Sequence, residues 1–311
     1  MSASVLTSLA TIYATTTARD RLVQLSLCTT DPDTILLVAT AITVATSSNH
    51  TAENSTLYVT EGVRDALVAL SMHATTAESA QAVLVAFCQL TLSCANSVAE
   101  KLLFGTVSVR DAIVKLTHGA ATTAGVLQCV SSTILNIVVD DGTKDLYRTP
   151  EVRDAWILLA SAATTSDYVR LVASILSSIV STSDTAKKAV FTTSHVRDKL
   201  IAMSLRDLDS DAARAVSMAL CHLVGSNLNA ELFRTPNVRD AIVSLSASAT
   251  TCESVIGLSL ALISVVDGSD EGTKALFATS AARSMLTDLA SHATTPLAVT
   301  TLARAIRILI A

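Results

Sequence analysis

"TPEVRDAWILLASAATT", residues 149–165, decides the fold, because the chain keeps repeating it. The phrase returns as "TEGVRDALVALSMHATT" from Thr60, "TVSVRDAIVKLTHGAATT" from Thr106 and "TPNVRDAIVSLSASATT" from Thr235. Aligned on its arginine it marks Arg19, Arg64, Arg110, Arg153, Arg197, Arg239 and Arg283, at steps of 42–46 residues. Six residues before each arginine stands an aromatic ring: Tyr13, Tyr58, Phe104, Tyr147, Phe191, Phe233 and Phe277. Seven of the ten aromatic residues therefore share one phase of the period, which chance does not produce.

Each period divides into three helices. A short one ends in the ring, as in "GTKDLYR" from Gly142. The second follows a Thr-Pro or Thr-Ser start, where threonine caps and Pro150 or Pro236 sits in the first turn without wasting an N–H. It carries bulky apolar residues three and six positions after the arginine, such as Trp156 and Leu159. The third begins after a Thr-Thr pair, and Thr75 with Glu78 and Thr250 with Glu253 have capping-box spacing. The fifth repeat replaces the pair with "DLDSD", Asp207–Asp211. No useful stretch alternates with period two, so strands are not expected. Valine, threonine and serine are mediocre helix formers. Such helices are held by packing against neighbouring modules rather than by propensity.

Three helices per module, this period, and a third helix ending "ILNIVVDDG" (Ile134–Gly142) resemble armadillo repeats, with HEAT repeats as the near neighbour. The resemblance implies an all-α, right-handed α-solenoid of about seven modules. It makes residues 1–311 one repeat domain, with modules over roughly 1–48, 49–95, 96–140, 141–183, 184–226, 227–268 and 269–311. It also implies that the third helices line a concave groove whose asparagines hold an extended peptide. Counting thirteen residues from the second threonine, or from Asp209, gives Thr43, Gln89, Asn136, Ser178, His222, Ser264 and Ile308. One turn earlier stand Ala39, Val85, Ser132, Ser174, Met218, Leu260 and Arg304. Only Asn136 carries the family's residue, and the family's tryptophan is absent from the earlier row. The candidate partner-binding set is Gln89, Ser132, Asn136, Ser174, Ser178, Met218, His222 and Ser264.

The recurring rings and arginines read instead as a structural ladder between modules. A cation at a helix N-terminus opposes the macrodipole, so the arginine needs another partner. The C-terminal carbonyls of the preceding third helix, or turn acids such as Asp140, Asp141, Asp184, Asp267 and Asp270, are the candidates. Six of the seven arginines are followed by aspartate; Ser284 follows the last.

Composition narrows the function. A net charge of −5 argues against a nucleic-acid binder, whose affinity rests on clustered lysine and arginine. The acidic turns give a preference for a basic partner. Six scattered cysteines (Cys28, Cys88, Cys94, Cys129, Cys221 and Cys252) without metal spacing read as free thiols in a reducing, cytoplasmic setting. The N-terminus lacks a signal-peptide pattern, and the longest uncharged stretches are interrupted by polar residues, so no membrane span is expected. Sequon matches at Asn49–Thr51 and Asn54–Thr56 carry little weight in a chain so rich in serine and threonine.

No Ser/His/Asp set, phosphate loop, metal site or cofactor motif emerges, and the acidic "RDLDSD" from Arg206 lacks the glycine and closing glutamate of a calcium loop. The expectation is a non-catalytic scaffold for an extended polypeptide or protein partner. The alternatives are an assembly element whose end modules stack on other chains and, third, a helical-repeat enzyme. The second draws on "LARAIRILIA", residues 302–311, which finishes in an apolar third helix without a polar capping helix. That ending points to a longer array or to an end-to-end contact.

Overall fold

The protein is described from a computed structural model covering residues 12–47, 57–94, 97–119, 123–182, 184–225 and 230–310. The two sequons and His50 lie outside the described residues. Every regular element among the described residues is helical. Contacts divide the chain into two compact units, Met1–Tyr147 and Arg148–Ala311.

The first unit contains α1 (Thr16–Cys28), α2 (Pro32–Thr46), α3 (Glu61–His73), α4 (Ala77–Ser93), α5 (Val98–Phe104), α6 (Val107–Gly119), α7 (Ala124–Ile137) and α8 (Asp141–Tyr147). Second helices pack in chain order, α1 on α3 on α6, and third helices do the same, α2 on α4 on α7. The result is two helical layers. Short α5 touches both α3 and α7, so its terminal ring, Phe104, is fully buried.

The second unit contains α9 (Pro150–Ala162), α10 (Ser166–Val180), α11 (Thr185–Ala189), α12 (Ser194–Ser204), α13 (Ser210–Val224), a 3₁₀ turn (Ala230–Phe233), α14 (Pro236–Ser246), α15 (Cys252–Val266), α16 (Glu271–Phe277), α17 (Ser280–His292) and α18 (Pro296–Ile310). It repeats the arrangement: α9, α12, α14 and α17 form one layer, and α10, α13, α15 and α18 the other. At the approach of α15 to α13 stands Gly257, where an added Cβ would stand 3.5 Å from Arg214 Cγ and the Arg214 carbonyl.

Threonine caps open the second helices. Thr15, Thr60, Thr106, Thr149, Thr193, Thr235 and Thr279 each accept from a backbone N–H three residues on. The expected capping boxes are displaced by one residue. Thr76 and Thr251 are the caps, and the hydroxyls of Ser79 and Ser254 close the boxes rather than the carboxylates of Glu78 and Glu253. Ser79 and Ser254 occupy the third helical position, whose N–H a cap can reach, whereas each glutamate falls one residue short of it. Asp31 and Asp209 take the cap in the first and fifth modules, and Thr123 makes no side-chain cap bond.

Six rings meet the core expectation: Tyr58, Phe104, Tyr147, Phe191, Phe233 and Phe277 are fully buried, whereas Tyr13 is half-buried. Removing one such ring typically costs about 3–5 kcal/mol. The sixth module reaches its ring through a 3₁₀ turn instead of the expected α-helix.

Candidate functional site

The arginine row links modules, but through other partners than the sequence suggested. In each of the first six modules the guanidinium pairs with the aspartate beside it, as for Arg64 and Asp65 at 2.8 Å and Arg153 and Asp154 at 2.8 Å. Asp65 thereby holds Arg64 still further above its ordinary range. A second nitrogen donates forward to the carbonyl just before the next module's ring. Arg19 reaches Leu57 (3.3 Å), Arg64 reaches Leu103 (3.1 Å), Arg110 reaches Leu146 (3.0 Å), Arg197 reaches Leu232 (3.1 Å) and Arg239 reaches Leu276 (3.4 Å). Among the described residues Arg153 makes its Asp154 pair and no forward bond.

The preceding third-helix carbonyls and the turn acids are therefore not the partners. Asp140, Asp184 and Asp270 instead cap short first helices by accepting backbone N–H bonds, while Asp141 pairs with Lys144 and Asp267 with Arg304. Those cap bonds hold the Asp140 and Asp270 carboxyls below the usual range.

Third-helix carbonyls do receive cations, from residues that the period concealed. Arg148 Nε donates to Ile179 O at 2.8 Å, Lys188 Nζ to Gly225 O at 3.2 Å, and Arg234 Nε to Val265 O at 3.1 Å. Each neutralises the negative end of a helix in its own module. Lys188 is buried, and desolvation lowers its ammonium from the usual lysine range. Arg148 and Arg234 directly follow their rings, a signal present in only two modules.

The candidate contact residues all lie on third helices and are half-buried, so each presents part of its side chain at the surface. In the first unit these are Gln89 on α4 and Ser132 and Asn136 on α7. Asn136 Nδ2 is itself buried and has no acceptor among the described residues. In the second unit, Ser174, Ser178 and Met218 come together in a cleft of about 180 Å³, completed by Ser177, Arg214 and Ala215. His222 and Ser264 are already engaged between modules. His222 Nδ1 lies 2.9 Å from Ser177 Oγ, and Ser264 Oγ donates to Cys221 Sγ at 3.3 Å. Arg214 escaped the sequence reading because it stands one turn before Met218, outside the two rows that were counted.

Among the described residues, no three His, Cys, Asp or Glu side chains gather to hold a metal ion, and no helix is long and apolar enough to cross a membrane. Cys88 and Cys94 are buried; burial pushes the Cys94 thiol up to about 12. No protein-family model matches the chain, and no curated protein matches it.

Proposed function

We propose that the chain is a non-catalytic interaction scaffold, a right-handed α-solenoid of seven armadillo-like modules that binds an extended polypeptide or a protein partner along its third-helix face. One observation carries this reading. In each unit the third helices pack side by side in chain order, and each expected contact position is half-buried on that shared layer. The rings and the paired arginines, by contrast, are spent on the packing of modules. A surface with one polar position in each of the first six modules suits a ligand that is itself periodic, as an extended backbone is.

Photo-crosslinking of random-sequence peptide pools to the full chain, with the adducts located by mass spectrometry, tests the proposal. Adducts should concentrate on α4, α7, α10, α13 and α15. Adducts confined to the second helices, or none above background, would refute it.

A second reading, an assembly element, is favoured by an apolar cavity of about 690 Å³ lined by Ala278, Arg283, Leu286, Ile306 and Leu309. It holds Arg283, the last of the ladder arginines, which makes no forward bond among the described residues. Sedimentation that depends on concentration and is abolished by Leu286→Asp would favour it; a concentration-independent monomer would exclude self-assembly.

A further inference from the structure

Helical serine and threonine hydroxyls in this protein are commonly spent on their own backbone. Thr43 donates to Ala39 O (2.9 Å), Thr133 to Cys129 O (2.7 Å), Ser217 to Ala213 O (2.8 Å) and Ser93 to Gln89 O (2.9 Å). Ser174 and Ser178 lie one turn apart on α10 and make no hydroxyl bond among the described residues. Ser177, beside them, is engaged with His222. Both uncommitted hydroxyls line the cleft between α10 and α13, and Arg214 lines it from the other side.

Arg214 is also uncommitted. Its counterpart one module earlier, Arg170, leans on Asp167 three residues before it, at 3.6 Å. Arg214 has Asp211 at the same spacing, yet makes no ion pair among the described residues. Its stem rests on the backbone of α15 where Gly257 supplies no side chain. The residue is exposed. No carboxylate lines the cleft; Ala215 and Met218 supply an apolar wall. An arginine and two uncommitted hydroxyls lining one small recess form a receptor for an oxyanion.

We infer that this cleft receives an acidic side chain, carboxylate or phosphate, of the polypeptide bound along the third-helix face, with Arg214 as counter-ion and Ser174 and Ser178 as hydroxyl donors. The inference rests on the scaffold reading above and names the chemistry of one of its subsites. It runs against the basic preference implied by the acidic turns. That preference averages over exposed turns, whereas this recess is lined by a single cation.

Fluorescence anisotropy with four random-sequence peptide pools tests it, each pool fixed at its centre as glutamate, phosphoserine, glutamine or lysine. The full chain should bind the glutamate or phosphoserine pool about tenfold tighter than the glutamine pool, as expected for one charge-assisted contact. The tighter of the two acidic pools identifies the anion. Arg214→Gln should erase the preference, Arg214→Lys should restore part of it, and added salt should shrink it. Circular dichroism checks that the variants fold. Pools that bind equally, or a preference for lysine, would overturn the subsite and leave the scaffold reading standing. Failure of every pool to bind would remove both.

Discussion

Tyr58 and Tyr147 occupy the same phase of the period, belong to the same unit and are fully buried, yet their hydroxyls differ. Tyr58 Oη donates to the carbonyl of Tyr13 at 2.8 Å, tying one module to the next. Tyr147 Oη has no partner among the described residues. Replacing each tyrosine by phenylalanine should therefore move stability in opposite directions. Tyr58→Phe deletes a neutral hydrogen bond, a loss of about 1 kcal/mol. Tyr147→Phe removes a polar atom that gave up water for nothing, recovering about 1–3 kcal/mol. Phenylalanine already fills this phase at 104, 191, 233 and 277, so the ring alone satisfies the packing.

The two variants should thus separate by about 2–4 kcal/mol, a gap of several degrees in melting temperature at about 2–4 °C per kcal/mol. Ionisation does not interfere: burial pushes the Tyr58 phenol up to about 12 and raises Tyr147 as well. Urea titration followed by far-ultraviolet circular dichroism is the suitable assay, compared at constant slope. Fluorescence is not, because Trp156, the sole tryptophan, lies in the other unit. If Tyr147→Phe lowers the midpoint as much as Tyr58→Phe does, the unpaired hydroxyl is not the cost assigned to it.

Three further outcomes follow from the same geometry. Arg197→Ala should cost about 2–3 kcal/mol, because it removes a charge-assisted bond to the Leu232 carbonyl, while Asp198→Ala should cost under about 1 kcal/mol because that pair is largely solvated. Equal costs in urea titrations would show that the forward carbonyl contributes little. Gly105→Ala should destabilise by about 1–3 kcal/mol, since its Cβ would stand 2.7 Å from Thr143 Cγ2, and Thr143 is pinned by its hydroxyl bond to Asp140. Adding Thr143→Ser, which removes that methyl, should restore part of the loss; no rescue would locate the strain elsewhere. Asp209 accepts the cap bond from Ala212 N–H, which lowers its folded-state pKa. Its stabilisation is present above the unfolded carboxyl value of about 3.9 and is lost as pH falls through the folded value. Wild type should therefore exceed Asp209→Asn by a constant margin near neutrality, and that margin should shrink in melts below about pH 4. A margin that grows on acidification would reverse the sign.

The sequence exposed whatever is local and repeated. The ring phase, the threonine caps of the second helices and the Pro150 and Pro236 starts depend on neighbours within a few residues, and each module restates them. The capping boxes were harder to place, because a Thr-Thr pair offers two caps and both a glutamate and a serine lie within reach. The arginine ladder was legible as a ladder, but its forward acceptors are backbone carbonyls, which leave no mark in side-chain identity. Arg148, Lys188 and Arg234 cap third helices from positions that the period does not repeat. Of the cleft, Ser174, Ser178 and Met218 could be counted from the caps. Arg214 was missed because the count stopped at two turns of each third helix and it stands one turn before Met218.

The central claim is a division of labour: rings and paired arginines hold modules together, and the third-helix face is left for a partner. Melting temperature and peptide-pool affinity, measured together on one panel, test it most directly. Phe233→Ala and Arg239→Ala represent the first class, and Gln89→Ala, Ser178→Ala and Met218→Ala the second. The first pair should lose melting temperature, and the second trio should lose affinity at unchanged melting temperature. Affinity lost only in step with stability across the whole panel would contradict it.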